Sequence, residues 1–154
     1  MALQMLYQHE LGGASSREVK ASFDPFEYLA GEGRSLAPEL VRQAHAFAEE
    51  LFDGTLERRE AIDDLVTSQA ENWRLERMPA VDRNILRLAV YELLAEFDVP
   101  PLVVLDEAIE LAKRYGSDQS SAFVNGLLDG LLKRGVFARD AASPPAQRPA
   151  GSPE

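Results

Sequence analysis

Between Pro100 and Arg134 the chain reads PPLVVLDEAIELAKRYGSDQSSAFVNGLLDGLLKR, two stretches of helical period meeting at a sharp joint. In the first, Leu105, Ala108, Ile109, Ala112 and Tyr115 recur at helical spacing, and Asp106, Glu107, Glu110, Lys113 and Arg114 take the other faces. Pro101 suits a first helical turn, where its missing N–H is no loss. Gly116 follows as a helix-ending glycine able to adopt positive φ, with Lys113 and Arg114 complementing the negative end of the dipole. Ser117 then offers an N-cap, and Asp118 falls in the first turn of the next helix. That helix repeats Val124, Leu127, Leu128 and Leu131 as its core stripe. Two helices forced back to back by one short joint make a helical hairpin the starting constraint on the fold.

The second helix contains an anomaly at Phe123-Val124-Asn125-Gly126. Asn-Gly signals a turn, yet the apolar period runs straight through it. A glycine inside a helix costs roughly 1 kcal/mol relative to alanine, so close approach by another backbone or by a ligand is expected there. Phe123 lies off the main stripe, near the helix N-terminus; spacing alone favours a core role for it over an exposed one.

Upstream, Ala2–Leu11 reads as a short helix with Leu3, Leu6 and Tyr7 on one side. Residues 12–38 are rich in Gly, Ser and Glu, with one short helix expected over Pro25–Leu29. Glu39–Gly54 is amphipathic through Leu40, Val41, Ala44, Phe47, Ala48 and Leu51; Gly54 is expected to end it and Thr55 to cap a helix using Ile62, Leu65 and Val66. Acidic residues dominate from Glu39 to Glu71 against Arg42, Arg58 and Arg59, as a solvated face would. From Trp73 to Arg87 the character changes, with Arg74, Arg77, Arg83 and Arg87 set against Glu76 and Asp82. After Pro79 an apolar arc of Val81, Ile85, Leu86, Leu88, Ala89, Val90, Leu93 and Leu94 is wide enough to require burial on most sides, which predicts the central helix. Arg83, Arg87 and Tyr91 share its narrow polar strip. Residues 135–154 offer little to bury and are expected to form a disordered tail beyond a single domain over 1–134. No alternating pattern competes with the helices. The fold expected is all-α, about seven helices in two antiparallel groups packed on the central helix.

Composition narrows the chemistry. There is no cysteine among 154 residues, which removes disulfides, thiol catalysis and cysteine-based metal sites and fits a reducing cytoplasm. No apolar run approaches the roughly 20 residues of a membrane span. A formal net charge of −10 argues against indiscriminate nucleic-acid binding, so any RNA contact has to come from a local basic or aromatic patch. His9 and His45 have no companion at metal-ligand spacing. Asp106 and Glu110 share a face as a carboxylate pair would; the dipole and the neighbouring Lys113 and Arg114 explain both as ordinary helix electrostatics. Ser120 and Ser121 have no base nearby in sequence. These readings predict a non-enzyme with no cofactor and no metal.

Four segments together resemble one family. DEAIELAKRYG followed by FVNGLLD is similar to the C-terminal signature of the NusB family of bacterial transcription antitermination factors, while RNILRLAVYELL and ALQMLYQHEL are similar to its central and first helices. The motifs keep the family's order over most of residues 2–134. The resemblance implies binding of boxA single-stranded RNA in ribosomal RNA leader transcripts together with the S-ten small-subunit ribosomal protein (NusE). It also implies an antitermination complex with other Nus factors and RNA polymerase. By the same resemblance Phe123 becomes an aromatic RNA contact rather than core, and Gln119, Ser120 and Arg87 fall at RNA-touching positions. Gln119 departs from the acidic residue common there, and Arg87 has carboxylate pairing as its alternative. Tyr7 falls at the ribosomal-protein interface. The family carries an arginine-rich segment just before the match to Ala2-Leu3-Gln4. Here only Met1 precedes it, so either the natural start lies upstream or the chain binds RNA weakly alone. A rival reading is a helical protein-interaction scaffold with RNA binding weakened or lost. A second, the helical domain of ribosomal-RNA cytosine methyltransferases, fails for want of cysteines and of room for a nucleotide-binding domain.

Overall fold

The structure is a computed structural model that describes residues 1–70, 74–95 and 98–137. Among the described residues there are eight α-helices, one 3-10 turn and no strand. Trp73 and residues 138–154, most of the expected tail, lie outside the described residues. The helices group into two compact units, residues 1–58 and 59–154.

The first unit holds α1 (Ala2–Gly12), α2 (Ser16–Ser22), α3 (Pro25–Gly31) and α4 (Pro38–Glu57). Helix α1 buries Ala2, Leu3, Met5 and Leu6, packs on α4 and α2, and stops at Gly13, whose φ of 74° an L side chain rarely adopts. Helix α2 went unforeseen because a single apolar anchor, the buried Val19, has no period to detect. Its signal is the capping box: the Ser15 side chain accepts from the Glu18 N–H while Glu18 reaches back to the Ser15 N–H. Helix α3 starts as its sequence suggests, with Asp24 accepting from the Phe26 and Glu27 amides and Pro25 in the first turn.

Helix α4 corrects two expectations. It runs through Gly54 and Thr55 instead of breaking there, since both are buried beside Leu51 and Phe52 and tertiary packing outweighs their local preference. Its core stripe is Val41, Ala48, Phe52 and Thr55, so Leu40 and Phe47, expected inside, are 51 % and 40 % exposed.

The second unit holds α5 (Arg59–Gln69), the 3-10 turn Leu75–Arg77, α6 (Ala80–Ala95), α7 (Pro101–Tyr115) and α8 (Ser120–Lys133). Helix α6 is its centre, touching α5, α7 and α8, and every residue from Asp82 to Val90 is buried. The strip of Arg83 and Arg87 is therefore internal, and its charges are matched within the fold. Arg83 Nη1 donates to the carbonyls of Leu75 and Met78 at 3.2 and 2.8 Å, tying the 3-10 turn to α6. The chain stays packed past the expected domain end, since Phe137 is buried.

The two glycines of α8 differ. An added Cβ at Gly130 would meet the end of the Gln69 side chain of α5, which would have to shift to admit it. At Gly126 nothing among the described residues lies within 4 Å of the same position, so none of them makes the close approach expected there. Gly126→Ala should accordingly raise stability by about 0.5–1 kcal/mol, read as a higher urea midpoint at unchanged slope. A loss of stability would show that the glycine is needed by the fold itself.

Candidate nucleic-acid interface

The joint between α7 and α8 is where the sequence placed Gln119, Ser120 and Phe123. Helix α7 ends at Tyr115 with the Gly116 N–H donating to the Ala112 carbonyl. Gly116 has φ −96° and ψ −166°, not the positive φ expected, and this extended backbone is open to any residue. What requires glycine is contact: a Cβ there would lie 2.5 Å from both Cβ and Oγ of Ser120 and 2.8 Å from the Ala112 carbonyl oxygen. Nor does Ser117 cap α8. The helix begins two residues later, with Gln119 in the N-cap position and no side-chain cap bond. The polarity is the reverse of a Ser117 cap, because the Ser117 N–H donates to Ser120 Oγ at 2.9 Å.

The expected site residues part company here. Gln119 is exposed and Phe123 half-buried, one helical turn apart on the same face of α8, with Gly126 continuing that face. Ser120 is 1 % exposed and its hydroxyl donates to Asp82 Oδ1 at 2.7 Å, so its side chain serves the fold and presents nothing to a ligand. Arg87 is likewise interior. Its Nε donates to Asp63 Oδ1 at 2.8 Å, its Nη2 to Asp63 Oδ2 at 3.1 Å and its Nη1 to Asn84 Oδ1 at 3.2 Å. This two-pronged carboxylate pair is the alternative the sequence left open for Arg87, and it holds the guanidinium inside the fold.

The cations on the surface are others. Lys113 and Arg114 are both exposed in the last turn of α7, within a few residues of the joint. Arg114 lies 5.5 Å from the Tyr115 ring centroid, and Lys113 lies 3.9 Å from Glu110. Sequence reading assigned both to the helix dipole. Only the tightness of the joint shows that they flank the start of α8. In the first unit, Tyr7 is 44 % exposed.

The two histidines are engaged within the fold. His9 Nδ1 is 2.9 Å from the Ala14 carbonyl oxygen and its ring stands edge-on to Phe52, while His45 stacks on Phe23. Among the described residues no group of three His, Asp or Glu could hold a metal ion, and no helix is long and apolar enough to cross a membrane.

The NusB family model matches residues 1–133. Transcription antitermination protein NusB of Sorangium cellulosum is 47 % identical over 132 residues, 86 % of each chain. The protein of that name from Anaeromyxobacter dehalogenans is 43 % identical over 148 residues, 96 % of this chain and 90 % of its own. Among solved structures, NusB of T. maritima superposes with a TM-score of 0.69 at 39 % identity, covering 86 % of this chain and 85 % of its own. A structure of the antitermination factors NusB and NusE in complex with dsRNA matches with a TM-score of 0.68 at 26 % identity, covering 86 % of this chain and 91 % of that one. All-helical architecture, motif order and sequence identity agree: the chain belongs to the NusB family of transcription antitermination proteins.

Proposed function

We propose that this chain binds the boxA element of ribosomal RNA leader transcripts as a single strand, jointly with the S-ten small-subunit protein (NusE). In the bacterial cytoplasm it would join other Nus factors and RNA polymerase in a complex that suppresses premature termination. Its contribution is binding, with no catalytic step. The observation that carries this reading is the open face of α8. Gln119, Phe123 and Gly126 follow one another along it, and the mid-helix glycine has no neighbour among the described residues to explain it. A base stacked on Phe123 would lie along such a face and use the room a side chain at Gly126 would fill. Lys113 and Arg114 supply local positive charge beside it, which a chain of net charge −10 needs in order to hold phosphates. The relative solved with NusE and dsRNA supports RNA and NusE as the classes of partner.

A second reading, a protein-interaction scaffold with weakened RNA binding, is favoured by one finding: Arg87 is committed to Asp63 and adds nothing to an RNA surface. Titrating a boxA single strand, the same sequence as a duplex, and a scrambled strand, each with and without the S-ten protein, separates the two. The proposal expects the boxA single strand to bind tightest and the ribosomal protein to strengthen it. Equal, weak binding of all three RNAs in both conditions would leave the scaffold.

The ribosomal-protein face has its own prediction. Tyr7 is exposed on α1 while Leu3 and Leu6 hold that helix in the core, so Tyr7→Asp leaves the fold intact. It should weaken binding of the S-ten protein by about tenfold or more, the size of one well-packed interface aromatic. Unchanged affinity at unchanged circular dichroism would remove Tyr7 from that interface.

A further inference from the structure

We propose that Asp82 is a positioning residue for the RNA-facing turns of α8, acting through the Ser120 hydroxyl; this rests on the RNA reading above. The hydroxyl has one proton, and it goes to Asp82 Oδ1 at 2.7 Å. Ser120 Oγ itself accepts the Ser117 N–H at 2.9 Å, and Ser117 Oγ lies 3.2 Å from it. Because the Ser120 hydrogen is committed to the carboxylate, the Ser117 hydroxyl is the donor in that last pair. Asp82 is 4 % exposed and Ser120 1 %, so solvent does not compete for the bond between them. Asp82 sits in the first turn of α6, where the helix dipole favours a carboxylate, and its bond to the hydroxyl is short and charge-assisted.

The consequence is mechanical. Helix α8 has no side-chain cap at Gln119, so its start is held by this buried link to the central helix of the unit. On the other side the joint tolerates no side chain at Gly116, where a Cβ would run into Ser120. Rotation of α8 about its own axis would carry Gln119 and Phe123 round with it, and the Asp82–Ser120 bond opposes that rotation. No spacing in the sequence announced the link, since 38 positions separate the partners.

The test is a double-mutant cycle in the full chain: Asp82→Ala, Ser120→Ala and the pair together. Asp82→Asn serves as the conservative variant because its amide oxygen still accepts from the hydroxyl. Affinity for the boxA single strand is measured at a temperature where circular dichroism shows each variant folded, and amide exchange of Ser117 is followed alongside. Each alanine variant should bind about tenfold more weakly, and the double variant no worse than either, because both break one link. Asp82→Asn should keep most of the affinity, and Ser117 exchange should accelerate in the alanine variants alone. Wild-type affinity in Asp82→Ala with a freed Ser117 amide would overturn the proposal, and so would losses that multiply in the double variant. If Asp82→Ala does not fold, Ser120→Ala, which removes one oxygen, decides: wild-type affinity there overturns it. Phe123→Ala in parallel keeps the two failures apart. If it leaves RNA binding unchanged, the α8 site itself is wrong. If it weakens binding while Asp82→Ala does not, only the positioning role is lost.

Discussion

Asp63→Ala should destabilise the fold by about 3–5 kcal/mol, more than Arg87→Ala, and neither should change the salt dependence of RNA binding by the folded protein. The asymmetry follows from burial. The Arg87 side chain is 5 % exposed and that of Asp63 21 %, so removing the carboxylate strands a guanidinium that cannot shed its charge. Removing the arginine instead leaves a carboxylate that partly reaches water and still has Arg59 Nε at 3.7 Å. Arg87→Lys should fall between wild type and Arg87→Ala, because an ammonium cannot match both carboxylate oxygens and Asn84 together. Replacing both members by apolar residues of similar volume should recover most of the loss, since the pair must first offset its own desolvation. At about 2–4 °C per kcal/mol for a chain of this size, thermal melts resolve these steps. A salt slope reduced by about 0.7 in Arg87→Ala would return Arg87 to the RNA surface.

Arg87 also marks where sequence reading stops. Periodicity carried α6, α7 and α8 because each buries a stripe, and the wide arc from Val81 to Leu94 correctly announced the central helix of its unit. Periodicity reports which positions face a neighbour, and a polar residue interrupting an apolar arc looks the same whether it meets water or a buried partner. Arg83, Arg87 and Asp82 met partners supplied by other elements: the Leu75 carbonyl of the 3-10 turn, Asp63 of α5 and Ser120 of α8. None of these pairings has a signature in local spacing. Ser120, placed at an RNA-touching position by resemblance alone, is buried against Asp82 for the same reason. Gly54 and Gly116 show the limit from the other side. A glycine between two helical runs reads as a stop or a positive-φ turn. Here one sits buried inside α4, and the other is required because Ser120 touches it. The resemblance implies a site on α8; the geometry separates Gln119, exposed, and Phe123, half-buried, from Ser120 and Arg87, which are buried.

Phe123→Ala should weaken binding of the boxA single strand by about 1–3 kcal/mol, roughly 5- to 150-fold, with the salt slope unchanged. Stacking neutralises no phosphate, so losing it alters affinity without altering counterion release. The fold should suffer less than the roughly 3–5 kcal/mol expected for a fully buried phenylalanine, because Phe123 is only half-buried and lies off the stripe of Val124, Leu127, Leu128 and Leu131. Two companions sharpen the test. Phe123→Leu keeps apolar bulk without a π face, so it should retain stability yet bind RNA nearly as weakly as the alanine variant. Phe123→Trp enlarges the face and should bind at least as well as wild type. Lys113→Gln and Arg114→Gln supply the opposite signature, each lowering the slope of log affinity against log salt by about 0.7 if its side chain holds a phosphate. Affinity lost at constant slope in α8, with slope lost at the end of α7, would divide the interface into a stacking platform and its flanking cations. If Phe123→Leu binds as wild type does, apolar contact rather than base stacking accounts for Phe123. The open space at Gly126 would then need a different occupant.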